Sequence, residues 1–250
     1  MLIDSHCHLY TLSDKLRSAI FSGLISNDLL IVDSSIDIVT AKAACSFADN
    51  NANVYWQAGF HPFSVPKFTN DIMNIYSNLI DTSKSVIGVG EIGLDETADI
   101  DMREQERVLR TFIELAKNKS LPITIHNRYE NYRILDILND HYDDYRSVVF
   151  HCFSHDTSFL NKILERNGTV SFSLNILRNK KHITESLILC PLENILLETD
   201  SPYMRIDRTP SSPLDIIKVY DYVSAAKEIT PDILAGTVLG NFKRIFRIGI

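Results

Sequence analysis

The 250-residue sequence predicts a single α/β domain, a (β/α)8 TIM barrel spanning residues 1–250. Three observations carry that expectation. Short runs of Val, Ile and Leu recur along the whole chain, longer amphipathic segments fill the gaps between them, and no low-complexity tract or Gly/Ser linker divides the chain. One barrel of this kind is typically about this long, and a core of this size needs no disulfide staples. A doubly wound open sheet is the structural alternative.

The strand-like runs fall at residues 2–6, 29–34, 54–59, 86–91, 122–126, 148–152, 169–173 and 195–200. Leu29-Leu30-Ile31-Val32, Val148-Val149-Phe150 and Ile195-Leu196-Leu197 are continuously apolar, as strands covered by helices on both faces must be. The segment 101–119 places Met102, Val108, Leu109, Phe112, Ile113 and Leu115 close to a 3.6-residue period, which predicts a helix. Residues 36–50, 68–81, 131–142, 157–167 and 181–189 fill the other gaps, with Asn167-Gly168 as a helix stop. Two terminal helices are expected at 215–228 and 231–247, the second opened by Pro231 where a missing N–H costs little.

Hydrophobic residues make up 45% and charged residues 23%, too apolar for a disordered chain. No stretch approaches the ~20 apolar residues of a membrane span, and no signal peptide precedes His6. Cys7, Cys45, Cys152 and Cys190 are scattered and form no CxxC, so they read as reduced thiols of a cytoplasmic protein. The net charge of −7 argues against general coating of a nucleic acid, though not against a local basic patch.

Where the histidines fall is the informative feature. His6 and His8 end the first run, His61 follows the third, and Glu91, His126, His151 and Asp200 close the fourth, fifth, sixth and eighth. A barrel gathers those ends on one face, where the loops after the strands build the active site. Residues i and i+2 of an extended segment point the same way, so His6 and His8 can reach one ion. Imidazoles mixed with carboxylates suit Zn²⁺ or Mn²⁺, and the carboxylates also admit Mg²⁺. A lone HxH marks little; the joint pattern marks a metal site. His141, His182 and His155 do not share the placement and read as surface residues. Cys7 and Cys152 each neighbour a proposed ligand, and alternation turns both toward buried packing.

With these residues the chain resembles the TatD family of metal-dependent hydrolases, among the amidohydrolase-like barrels. The resemblance rests on Asp4-Ser5-His6-Cys7-His8-Leu9, Gly59-Phe60-His61-Pro62, Gly90-Glu91-Ile92-Gly93-Leu94-Asp95, Pro122-Ile123-Thr124-Ile125-His126, His151-Cys152-Phe153-Ser154 and Leu197-Glu198-Thr199-Asp200-Ser201-Pro202-Tyr203. Near the C-terminus Asn241-Phe242-Lys243-Arg244-Ile245-Phe246 is similar to the family's closing helix. The resemblance implies one or two divalent ions. One would be held by His6, His8, Glu91 and Asp200 and the other by Glu91, His126 and His151, with Glu91 bridging and His61 beside the scissile phosphate. It also implies a deoxyribonuclease, often a 3′-to-5′ exonuclease on single strands. The chain departs from the family at Phe63, where a second His is common, at Asn127 and Tyr129 around Arg128, at His155, and in the loop after Asp200.

The expected chemistry is hydrolysis by a metal-activated water, with Asp200 taking its proton, Glu91 holding the ions and His61 assisting the leaving oxygen. Arg128, Arg178, Lys180, Lys181, Arg205 and Arg208 belong to loops on the same face and are the candidate phosphate contacts. Phe63, Tyr129 and Tyr203 are the candidate stacking residues. Single-stranded DNA is the expected partner and a monomer the expected state. Two other classes fit the same residues. One is a hydrolase of a carbonyl substrate, such as an aminoacyl-tRNA deacylase; many such barrels bridge their metals with a modified Lys, and no Lys ends a strand-like run here. The other is a non-enzymatic metal-binding scaffold.

Overall fold

The computed structural model describes residues 1–12, 17, 28–129, 131–205 and 208–249. Eight strands run in chain order: β1 (Leu2–Cys7), β2 (Leu29–Ser34), β3 (Val54–Gln57), β4 (Val86–Asp95), β5 (Ile123–Arg128), β6 (Val148–Phe150), β7 (Thr169–Phe172) and β8 (Ile195–Leu197). Each pairs in parallel with the next. Among the described residues the helices are α1 (Ile38–Ala48), α2 (Asn70–Thr82), α3 (Met102–Lys119), α4 (Arg133–Asn139), α5 (Thr157–Leu164) and α6 (Lys181–Leu189), each after its strand, then α7 (Ile216–Lys227) and α8 (Pro231–Phe246) after β8. This is the expected (β/α)8 barrel. No helix among the described residues is long and apolar enough to cross a membrane.

Hydrogen bonds between the first and last strands' ends close the ring. The Asp200 N–H donates to the His6 carbonyl at 3.0 Å, and the His8 N–H donates to the Ser201 carbonyl at 2.8 Å. Beneath them, Asp4 is fully buried and receives the Thr199 N–H at 2.8 Å and the Thr199 hydroxyl at 2.6 Å. Burial raises the Asp4 carboxyl well above its ordinary value, and these donors satisfy its oxygens. From outside, the Asn241 amide of α8 donates to the Leu192 and Ile195 carbonyls at 2.7 and 2.9 Å, so the closing helix clasps β8.

The sequence placed most elements within a few residues, and the differences are informative. β4 runs four residues past Glu91, and β5 two past His126, so these two ligands sit inside strands rather than at their ends. Glycine permits the extension: a Cβ on Gly93 would lie 1.7 Å from the His126 carbonyl oxygen, closer than any side chain can approach. α4 spans only Arg133–Asn139, because the chain turns at Asp140 and the Leu138 carbonyl accepts from both His141 and Tyr142. α5 ends at Leu164, and Asn167 rather than Gly168 takes the left-handed conformation, at φ 62°. Asn adopts that region at low cost.

Candidate metal centre

His6, His8, Glu91, His126, His151 and Asp200 converge at the C-terminal mouth of the barrel, all buried. His6 lies in β1 and His8 one residue beyond it; Glu91 and His126 project from β4 and β5; His151 and Asp200 occupy the turns after β6 and β8. Asp200 has a φ of 52°, a left-handed conformation that Asp accepts more readily than most residues and that its N–H bond to His6 holds in place.

The two oxygens of Glu91 face different groups. Oε2 lies 3.3 Å from His6 Nε2 and 3.4 Å from His8 Nε2. Oε1 lies 2.7 Å from His126 Nδ1 and 3.0 Å from His151 Nε2. Asp200 Oδ1 is 3.5 Å from His8 Nε2. The donor atoms of His6, His8 and Glu91, of His6, His151 and Asp200, and of Glu91, His126 and His151 each fall within 4.8 Å of one another. Glu91 is therefore placed to bridge two neighbouring cation positions. Its backbone is approached closely by the segment after β3, since a Cβ on Gly59 would lie 2.1 Å from the Glu91 nitrogen.

The outer ring nitrogens decide what the inner ones can do. His8 Nδ1 sits 2.8 Å from the Ser34 carbonyl, which only accepts, so Nδ1 carries the proton and Nε2 turns a lone pair inward. His126 Nε2 sits 2.9 Å from Asp95 Oδ2, which fixes its proton outside and leaves Nδ1 facing Glu91. A lone pair and a carboxylate oxygen 2.7 Å apart require a proton or a cation between them. His61 is built the other way round. Its Nδ1 accepts the Phe63 N–H at 3.1 Å, so its Nε2 bears the proton, 3.3 Å from Glu91 Oε1. A neutral ring so held offers a hydrogen-bond donor to the cleft rather than a ligand.

Charge follows the same division. Burial pushes Glu91 up, but the charges of His151 and His61 and the hydrogen bonds of His126 and His151 outweigh it and hold Glu91 well below the usual carboxylate range. Burial likewise raises Asp200, and the His8 hydrogen bond with the charges of His151, His8 and His6 brings it below its ordinary value. Burial lowers His6 and His61. It opposes protonation of His8, His126 and His151 too, yet their carboxylate neighbours raise all three. A ligating imidazole must be neutral, so a bound cation takes the place of those protons. Buried imidazoles and anionic carboxylates converging in this way are the donor set of a borderline divalent ion such as Zn²⁺ or Mn²⁺.

Two carboxylates behind the centre were not singled out by the sequence. Asp95 is fully buried at the end of β4 and also receives the Thr97 N–H and hydroxyl at 2.8 and 2.6 Å. Burial raises its carboxyl, but the His126 and Thr97 hydrogen bonds hold it far below the usual range. Glu198 accepts the Cys152 N–H at 2.8 Å and a hydrogen bond from Ser171, and its Oε1 lies 3.4 Å from His151 Nδ1. Spacing carried part of the missing signal: Asp95 is four residues beyond Glu91 on one strand, so the two share a face. Partners of this kind orient ligand histidines. Asp95→Asn is expected to lower affinity for the second ion about tenfold to a hundredfold, read by calorimetric titration with Mn²⁺. Unchanged stoichiometry and affinity would remove Asp95 from that role.

A cavity of about 730 Å³ opens above the centre, within the range of small-molecule sites. Arg128, Arg178 and Lys180 line it, as do Phe63 and Tyr203. Arg205 and Arg208 are exposed but do not line it, and Ile206 and Asp207 of the same loop lie outside the described residues. Tyr129 is partly buried against the core instead of facing the cavity, and Lys181 pairs with Glu185 along α6 at 3.8 Å. Cys7 packs inward as expected, its thiol 3.5 Å from the Val32 carbonyl. Cys152 does not: β6 ends at Phe150, and a φ of 46° breaks the alternation and puts Cys152 on the cavity wall. His155 is not a surface residue. It stacks on Phe159 with centroids 4.3 Å apart, and its Nε2 lies 3.1 Å from the Asn127 carbonyl, bracing the end of β5.

The model of a family described as TatD related DNase matches residues 3–247. The chain belongs to the TatD family. An uncharacterised metal-dependent hydrolase of Methanocaldococcus jannaschii is 27% identical over 249 residues, covering 98% of this chain and 96% of that protein. The uncharacterised metal-dependent hydrolase YcfH of Escherichia coli K12 is 26% identical, covering 99% and 96%. Among solved structures, the TatD homologue YjjV of Escherichia coli K12 superposes with a TM-score of 0.90 at 23% identity, covering 99% of this chain and 98% of that one. A TatD family hydrolase of Entamoeba histolytica gives 0.84 at 18% identity, covering 98% and 97%. This TatD family member is thus a metal-dependent hydrolase whose candidate ligands are the residues above.

Proposed function

We propose that this TatD protein hydrolyses phosphodiester bonds of single-stranded nucleic acid, DNA in preference to RNA, removing nucleotides from the 3′ end. The observation that carries the reading is the split Glu91 carboxylate, each oxygen facing its own set of imidazoles, beneath a cavity edged by Arg128, Arg178 and Lys180. The family description as a DNase supports the substrate class. The ions, when bound, supply an activated water and neutralise charge building on the phosphoryl oxygens. Mn²⁺ or Zn²⁺ suits the imidazole-rich donors better than Mg²⁺.

The chain's own groups then divide the work. Asp200, held anionic, accepts the proton of the attacking water as the new P–O bond forms. The His61 Nε2–H hydrogen-bonds the departing oxygen as the old P–O bond breaks, and the proton held by Asp200 is released to solvent, from which the departing oxygen takes its own. Arg128, Arg178 and Lys180 hold the non-bridging and neighbouring phosphate oxygens, and Arg does so through two parallel N–H donors. The cationic lining is local, which reconciles a polyanionic substrate with a chain of net charge −7. A monomer suffices, because every group named comes from one chain. Four unpaired cysteines accord with a cytoplasmic setting.

The test is one panel of single-stranded DNA labelled at either end, duplex DNA, RNA and aminoacyl-tRNA, each with Mg²⁺, Mn²⁺ or Zn²⁺. Release of mononucleotides from the 3′ end of single-stranded DNA is expected. Turnover of aminoacyl-tRNA alone would replace the reading with carbonyl chemistry, and no turnover despite bound metal would leave a metal-binding scaffold.

A further inference from the structure

The strand order divides the rim of the cavity by chemistry. Because β8 closes against β1, the loops after β8, β2 and β3 share one arc of the mouth. That arc presents Tyr203 and Met204, then Ile36, then Phe63. The arc after β5 and β7 presents Arg128, Arg178 and Lys180, with Ile183 as its apolar member. One side of the mouth is thus aromatic and apolar, the other cationic.

Two rings on the apolar arc stand out. Phe63 and Tyr203 are 52% and 51% exposed, although each lines a cavity. Each also rests on an imidazole of the centre. The Phe63 ring lies parallel to His61, 1° from coplanar orientation with centroids 5.3 Å apart. Tyr203 meets His8 edge-on at 5.0 Å. Phe63 is held in a 3-10 turn, Pro62–Lys67, stiffened by Pro62 and Pro66 and pinned by its own N–H on His61. A ring fixed in advance presents its face with little ordering cost when a ligand arrives. Phenyl offers no hydrogen-bonding edge, so what it selects is a flat π surface, a property shared by every nucleobase.

We propose that Phe63 and Tyr203 form a nucleobase subsite, where the base of the nucleotide being released stacks while the phosphate backbone crosses the mouth along Arg128, Arg178 and Lys180. The substrate class rests on the phosphodiesterase reading; the division of the rim does not. The two rings act on the substrate from opposite ends of one arc, Phe63 from the His61 side and Tyr203 from the His8 side. The subsite accepts any base, and sequence preference is therefore weak.

The probe is a single-stranded oligodeoxynucleotide with phosphorothioate linkages, carrying 2-aminopurine at its 3′ or its 5′ end, titrated with the Mn²⁺-loaded protein. Both rings are half exposed, so Phe63→Ala and Tyr203→Ala leave the core intact. Wild type is expected to quench 2-aminopurine at the end it holds. Each alanine variant should weaken binding about tenfold, the scale of losing one stacked base, and relieve the quenching, while Phe63→Trp restores both. The proposal is overturned if the oligonucleotide does not bind, if it binds without quenching at either end, if quenching survives both alanine variants, or if an abasic end binds as tightly as a base. The two readings separate cleanly. Quenching without cleavage of the ordinary phosphodiester keeps the subsite and removes the hydrolase reading; cleavage without quenching does the reverse.

Discussion

Replacing Glu91 by Ala is expected to reduce turnover roughly a thousandfold or more, the scale on which loss of preorganised charge stabilisation acts. Both cation positions depend on this one side chain: Oε2 serves the His6 and His8 side and Oε1 the His126 and His151 side. Its removal takes one donor from each position and leaves Asp200 as the remaining carboxylate of the proposed ligand set. Without the shared negative charge the site holds a divalent ion less tightly. Metal content and single-turnover cleavage are the paired measurements, with circular dichroism to establish folding. The variant should lose bound ions along with turnover. A folded Glu91→Ala protein that keeps two ions and near-normal cleavage would dismantle the dinuclear assignment. Glu91→Gln should fall between, since its amide keeps one acceptor oxygen and loses the charge.

Asp200→Asn separates proton transfer from metal binding. The amide matches the carboxylate in shape and still offers one oxygen toward His8, but it cannot take a proton from water. Asn tolerates the left-handed φ of 52° as well as Asp does, so the turn after β8 should form normally. Turnover should drop about 10²- to 10⁴-fold, the range for losing a general base, with KM and metal content little changed. Wild-type kcat in the variant would assign the proton to another group. A loss of metal in step with activity would show that Asp200 acts chiefly as a ligand.

The legibility of this protein follows from where its constraints are local. Strands buried on both faces must be apolar throughout, and Leu29-Leu30-Ile31-Val32 or Ile195-Leu196-Leu197 announce themselves for that reason. The ligands were legible because each sits beside such a run. Asp95 and Glu198 escaped notice because their roles depend on partners brought from other strands: Asp95 meets His126 across the β4–β5 pairing, and Glu198 meets Cys152 and Ser171. Cys152 was misplaced because one left-handed residue reverses the alternation, and no neighbour in sequence declares it. The basic loop after Asp200 contributes neither Arg205 nor Arg208 to the cavity lining, since a cluster of charges in sequence does not fix the direction of its side chains.

The seam between β1 and β8 has a consequence for how the protein is made. Asp4 and Thr199, 195 positions apart, bond to each other directly beneath the ligands His6 and Asp200. During synthesis His6 and His8 emerge with the first strand, but Asp200 follows only after all eight strands have been translated. A growing chain therefore carries histidines able to pick up stray ions long before the carboxylate that completes the set exists. Hydrolytic competence arrives late and abruptly, as one end of the polypeptide finds the other. An unfinished product released early lacks the carboxylate that completes the set of candidate ligands.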